Sequence, residues 1–395
     1  MPFSSRINTC SQGEAVNHVL RCMTTNPPQN LLGLDIQELT RLVEESGQPT
    51  YRASQLFHAL YADRASSIEQ VSTLPKEFRT WIAAQDLVLA VPEIEKKFNS
   101  TDGTVRYLMR LLDGNTVETV WMPEGDEGEA GDGSEAGSEA ETSARRDWRR
   151  ATICVSSQVG CAVNCQFCLT ATLGITRNLS AGEIVGQVTA LLNDQKVSPP
   201  LERVNLVFMG MGEPFLNYES FMKSVCLLVE GVGIPQSRMT VSTAGIVPRI
   251  YDLGNEVIRP KLAISLTAPN DELRERLMPI NRKWNLEQLM TAAREFPLRN
   301  REKVTFEYVL LREVNDSRQH ARELVELVRG VRSKVNLIAL NPGPGIDFET
   351  PSDENVLRFQ KTLIEAGVPA FIRKPRGRDI YAACGQLKRT IQAAT

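Results

Sequence analysis

The stretch "CVSSQVGCAVNCQFC", residues 154–168, sets Cys161, Cys165 and Cys168 at spacings of four and three, with Cys154 ahead of them and outside that spacing. Three thiols this close staple a fold, hold a metal, or make one small apolar helical face. The opening residues, "MPFSSRINTCSQGEAV", lack the basic-then-apolar order of a signal peptide, so a cytoplasmic placement is expected. In a reducing compartment clustered thiols read as metal ligands or redox groups rather than as a disulfide framework. Zinc would need a fourth Cys or His at short spacing. None follows Cys168, and His18, His58 and His320 lie far off in the sequence. Three thiolates suit an iron–sulfur cube held at three corners, its fourth iron open to a ligand that is not protein. The buried structural face remains the alternative on this stretch alone.

Working outward toward the C-terminus, short β-branched runs at 203–209, 238–243, 261–267, 303–311, 334–340 and 370–374 alternate with helical segments. Ser180 followed by Glu183 is a capping-box start for one of those helices. The alternation predicts an α/β fold with parallel pairing, as an open sheet or a barrel, and functional residues at the C-terminal strand ends. "VFMGMGEP", 207–214, fits: Gly212 lets backbone approach a ligand, and Glu213 offers a carboxylate to a ligand ammonium. Ser242, the stretch Ser265, Leu266 and Thr267, and Asn341 fall at later strand ends, although each alone reads equally as a turn.

Toward the N-terminus, residues 1–28 show no sustained periodicity and read as a loose tail. Residues 29–90 read as a helical module with Asp35 as an N-cap, and 91–123 as an antiparallel β-meander around two Asp-Gly turns. Residues 124–147 open with "EGDEGEAGDGSEAGSEAET", which has eight acidic and no basic side chains, and are expected to be a disordered insertion. The net charge of −3 hides its effect: without that stretch 45 basic residues face 40 acidic ones, a balance of +5. A mildly basic body permits a nucleic-acid partner. No apolar run approaches the ~18 residues of a membrane span.

The three-cysteine spacing, with Phe167 before its last thiol, resembles the radical S-adenosylmethionine (SAM) enzymes. "VETVWMPE" (117–124), "MGMGEP" (209–214), "SLTAPND" (265–271), "MPINRKW" (278–284) and "RKPRGRDIYAACGQL" (373–387) narrow this further. Together they resemble the RlmN/Cfr family of RNA adenine methyltransferases, in its RlmN branch, from about Leu31 to Leu387. The resemblance implies a partial parallel (β/α)6-type barrel over 148–390, with a 4Fe–4S cluster on Cys161, Cys165 and Cys168. It implies SAM bound by Gly212, Glu213, Ser242, Ser265, Leu266, Thr267 and Asn341.

It also implies the chemistry. C2 of adenine is not a nucleophile, so one SAM methylates Cys384 and a second yields the radical that activates this methyl for attack on C2. Cys154 then resolves the protein–RNA adduct through a transient disulfide, and Glu118 accepts the C2 proton. The implied substrate is adenine 2503 of 23S rRNA, and adenine 37 of some tRNAs. A reducing donor such as flavodoxin or ferredoxin and a monomeric state go with it. The runners-up are a Cfr-like enzyme acting on C8 and an RNA-binding protein with a structural cluster. One departure is Thr267, where the family usually has His.

Overall fold

The computed structural model describes residues 29–123, 150–199 and 201–388. The tail 1–28 and the acidic insertion 124–147 lie outside the described residues.

Three helices open the chain: α1 (Ile36–Glu45), α2 (Tyr51–Tyr61) and α3 (Lys76–Ala84). Asp35 caps α1 as expected: its carboxylate accepts from the Gln37 and Glu38 amides, and Glu38 reaches back to the Asp35 N–H. The meander follows as β1 (Glu93–Asn99), β2 (Val105–Arg110) and β3 (Thr116–Pro123), all antiparallel. Then come β4 (Arg150–Cys154), α4 (Ala181–Asp194), β5 (Arg203–Phe208), α5 (Tyr218–Glu230), β6 (Met239–Thr243) and α6 (Val247–Asn255). The series continues with β7 (Lys261–Ser265), α7 (Asp271–Leu277), α8 (Leu286–Glu295), β8 (Val304–Leu310), α9 (Arg318–Val328), β9 (Ser333–Ala339), α10 (Asp353–Glu365) and β10 (Ala370–Ile372).

All ten strands form one sheet in the order of the chain, β10 to β1. From β4 to β10 every neighbouring pair is parallel. The six β-branched runs are β5–β10, and β4 adds a seventh parallel strand ahead of them. Its five residues, Arg150–Cys154, alternate in burial up to Ile153 but are too short a run, without enough β-branched residues, to stand out as a strand. The meander is not a separate layer: β3 pairs antiparallel with β4, so it continues the barrel sheet past its first parallel strand.

Helix α4 shows how the N-terminal module is joined. Eleven of its fourteen residues are buried, far more than one apolar stripe requires. The second face is covered by the loop before α1. A Cβ on Gly182 would lie 1.8 Å from the Leu32 carbonyl oxygen, so only glycine allows this approach. Tyr61 seals the contact by donating to the Leu34 carbonyl at 2.7 Å and accepting from the Gly33 N–H at 2.9 Å. One continuous apolar core therefore runs from Leu39 and Leu56 through Val185 to Phe306.

After β10 the C-terminal segment, 373–388, leaves the last parallel strand and reaches the meander. Arg376 donates to the Pro123 carbonyl, and the Gly377 N–H donates to Asp102 at 2.9 Å. Asp379 accepts from the Ser100 hydroxyl and the Thr101 N–H. The segment then returns along the sheet, where the Leu169 N–H donates to the Gly385 carbonyl at 2.7 Å. It thus straps one end of the parallel series to the other. No helix among the described residues is long and apolar enough to cross a membrane.

Candidate active site

The thiol loop, 161–174, connects the two strands of a small hairpin, Gln158–Gly160 and Ile175–Asn178. The Cys161 N–H donates to the Gly174 carbonyl at 2.8 Å, closing the loop, and the Gln166 N–H donates to the Leu277 carbonyl at 3.0 Å. Val163 anchors it in a second apolar cluster with Leu273, Leu277 and Leu340, against which Cys161, Cys165 and Phe167 pack.

Cys161, Cys165 and Cys168 form one wall of a cavity of about 160 Å³. Its other walls are the strand ends marked in the sequence: Gly212 and Glu213 after β5, Ser242 in β6, Ser265 and Thr267 at β7, and Asn341 after β9. The Ser242 and Ser265 hydroxyls lie 3.3 Å apart. Leu266 does not line the cavity; its side chain is fully buried in the main core. Glu213 is buried, and its two oxygens accept from the Phe215 N–H at 3.0 Å and the Ala244 N–H at 2.6 Å. Burial pushes its carboxyl up to about 7 in spite of those donors.

The cavity suits the groups that the sequence implies. Among the described residues no three His, Cys, Asp or Glu side chains converge on a single ion. A cube takes one thiolate per iron, so thiols that share a wall without converging fit a cluster better than a lone zinc. Burial pushes the Cys161 thiol up to about 12 and Cys165 well above its ordinary value, so cluster binding must expel protons. In the same cavity, the buried Thr267 Oγ1 and Asn341 Oδ1 have no partner among the described residues, as expected of atoms that await a ligand. At Thr267 the backbone is left-handed, with φ at 58°. His58 is exposed and His320 half-buried, neither lines this cavity or the next, and His18 lies outside the described residues.

A second cavity, of about 200 Å³, shares Cys168, Glu307 and Cys384 with the first. Cys154 lines it from the end of β4, Met209 from β5 and Asn336 from β9, while Arg373, Lys374 and Arg376 line it from the strap. Cys384 is accessible from the cavity, and its carbonyl accepts from Asn341 at 3.3 Å. Burial, with Glu307 nearby, pushes its thiol up to about 11. The buried Cys154 thiol is raised further, by burial first and then by Cys384, and both residues line this cavity.

Glu118 lies beside this site and not in it. It is fully buried in β3, two residues from Val120, the register partner of Cys154. Its carboxylate is ion-paired with the buried Arg106 and accepts from the Lys388 N–H at 2.9 Å.

Three side chains here carry no mark in the sequence. Arg274 is buried in α7 and donates to the carbonyls of Ala244, Ser265 and Leu266, which sets the ends of β6 and β7. Glu307 and Asn336 are paired across β8 and β9 and face the cavities. A buried arginine and two polar residues inside strands look like any surface residue until the sheet is assembled.

Residues 29–87 match the family described as the ribosomal RNA large subunit methyltransferase N-terminal domain, and 155–325 match the radical SAM superfamily. A protein of Koribacter versatilis named as a probable dual-specificity RNA methyltransferase RlmN is 64% identical over 88% of this chain and 98% of its own length. The dual-specificity RNA methyltransferase RlmN of Rhodospirillum rubrum is 43% identical, covering 92% and 81% respectively. The crystal structure of a radical SAM methyltransferase from Sphaerobacter thermophilus superposes with a TM-score of 0.80 at 41% identity, over 92% of this chain and all of that one. With this fold, this thiol wall and these relatives, the chain belongs to the RlmN family of the radical SAM superfamily.

Proposed function

We propose that this chain is a SAM-dependent RNA methyltransferase that adds a methyl group to C2 of one adenine in 23S rRNA, and of adenine in certain tRNAs. The same reading has it act in the cytoplasm as a monomer, supplied with electrons by a flavodoxin or ferredoxin. One observation carries it: Cys384 lines both cavities, so a single sulfur faces the thiol wall on one side and Cys154 on the other. The names of the relatives and of the N-terminal family support an RNA substrate.

Cys161, Cys165 and Cys168 would hold the 4Fe–4S cluster, and Gly212, Glu213, Ser242, Ser265, Thr267 and Asn341 would hold SAM, with Leu266 serving only through its backbone. When bound, these groups supply a transferable methyl and the 5′-deoxyadenosyl radical. The chain's own residues do the rest. Cys384 loses its thiol proton and takes the methyl on sulfur. That S-methyl gives up one hydrogen atom to the radical, and its carbon bonds to C2 of the adenine; the resulting adduct radical must also lose one electron, which would return to the redox centre held on the thiol wall. Glu118 receives the C2 proton once the Lys388 N–H releases its oxygen, so the strap shifts when RNA enters. Cys154, as a thiolate, attacks the sulfur of Cys384; the S–S bond forms as the carbon–sulfur bond breaks, the freed carbon takes up a proton to become the methyl group, the modified base leaves, and the reducing donor returns the disulfide to two thiols.

The test is mass spectrometry of nucleosides from 23S rRNA incubated with reconstituted enzyme, SAM and reductant. 2-Methyladenosine is the expected product. 8-Methyladenosine would move the attack to C8, and unmodified RNA would overturn the assignment.

A further inference from the structure

The second cavity holds polar groups that the transfer chemistry does not use. Asn336, in the middle of β9, is 3% exposed, and its Nδ2 donates to Glu307 Oε1 at 3.0 Å. Glu307 stands directly across from it in the register of β8 and β9, so the two side chains leave the sheet on the same face. A carboxylate only accepts, so this bond turns the amide nitrogen toward Glu307 and the oxygen away from it. That oxygen, Oδ1, is buried with no partner among the described residues, on a residue that lines the cavity containing Cys154 and Cys384. A buried amide acceptor without a partner is costly unless a ligand completes it.

The lining names the ligand class. Arg373, Lys374 and Arg376 line the cavity from the strap and suit the phosphates of an RNA strand, while Thr152, Thr240 and Thr305 line it from three strands. An amide with one free acceptor and one spare N–H matches adenine, whose N6 amine donates beside the ring nitrogen N7. We infer that Asn336, held in one orientation by Glu307, reads the target base by accepting from N6–H and donating to N7. Glu307 acts through Asn336 and is a positioning residue. This contact rests on the proposed RNA methylation. It also gives that reaction a direction, since a base gripped by its N6/N7 edge leaves C2 on the far side, free to meet sulfur. Asn336 belongs to β9 and Cys154 to β4, strands far apart in the sheet order that line one cavity.

The experiment compares two RNAs in single-turnover methylation by the reconstituted full chain: a transcript with adenine at the target, and the same transcript with purine riboside there, which lacks N6 but keeps C2–H. The wild type should favour adenine by roughly tenfold to a hundredfold in kcat/KM, the range of one paired base contact. Asn336→Ala should lose most of that ratio, falling further on adenine RNA than on purine RNA, which keeps only the N7 contact. Asn336→Thr, a good strand former with a single hydroxyl, should behave the same way and stands in if the alanine variant does not fold. Equal losses on both RNAs, or an unchanged ratio, would overturn the assignment of Asn336 with the methyltransferase reading intact. A wild type that methylates neither RNA defeats that reading, and the contact falls with it.

Discussion

At the scale of single residues, the proposed reaction gives the two sulfurs different tasks, and it is tested first at Cys154. Cys154→Ala should leave methyl loading on Cys384 intact and strand RNA on the protein, because no thiol remains to break the carbon–sulfur bond. A nuclease-sensitive band of retarded mobility on a denaturing gel would report the adduct; free release of methylated RNA would remove Cys154 from the resolving role. Glu118→Gln keeps the shape but not the charge. It leaves Arg106 buried beside a neutral amide, which costs on the order of 3 kcal/mol, visible as a lowered Tm. If Glu118 takes the C2 proton, RNA also accumulates on this variant. If it only anchors Lys388, Tm falls and turnover persists. The thiols and the strand-end residues that share their cavity were legible in the sequence because cysteine at fixed spacing and glycine beside glutamate are rare combinations. Leu266 shows the limit of that legibility, since its motif neighbours line the cavity while its own side chain faces the core. Arg274, Glu307 and Asn336 had no such signal, because their roles come from partners more than five residues distant or on other strands.

At the scale of elements, the strap from Arg373 to Lys388 carries Cys384, and its grip on the meander is specific. Asp379 accepts two hydrogen bonds from the β1–β2 turn, and Asp102 of that turn accepts from Gly377. Two bonds to one exposed carboxylate are worth about 1–3 kcal/mol together. Asp379→Ala should therefore slow methyl transfer from Cys384 by roughly tenfold, through poorer placement of the sulfur. Iron content should be unchanged, because the thiol loop is closed by its own hairpin. Quantifying iron and single-turnover rate on the same preparation checks this; loss of both together would mean that the strap supports the loop and does not simply carry Cys384. The sequence marked this segment as basic and thiol-bearing but not as a strap. Its path depends on Asp102, more than 270 residues away.

At the scale of the whole molecule, strand–helix alternation made the parallel series legible from β5 onward, whereas the joining of meander and barrel into one sheet was not. That union turns on β3 pairing with β4 across the acidic insertion, a non-local contact with no trace in local periodicity. It also gives the insertion a simple position. Pro123 and Ala151 are register partners in an antiparallel pair, so the insertion leaves and re-enters the sheet at adjacent points and takes the place of a hairpin turn. Removing residues 125–147 leaves Glu124, Trp148 and Arg149 between the strands, a length that hairpins commonly use. Loop-closure entropy changes by about 0.6 kcal/mol per doubling of length, so shortening 26 residues to 3 should stabilise the fold by roughly 2 kcal/mol. The shortened chain should thus melt at or above the temperature of the full chain and methylate RNA at a similar rate, measured side by side. It should also bind RNA at least as tightly at low salt, because the deletion removes eight acidic and only two basic side chains, Arg145 and Arg146. A loss of methylation with Tm preserved would show instead that the acidic segment takes part in the reaction.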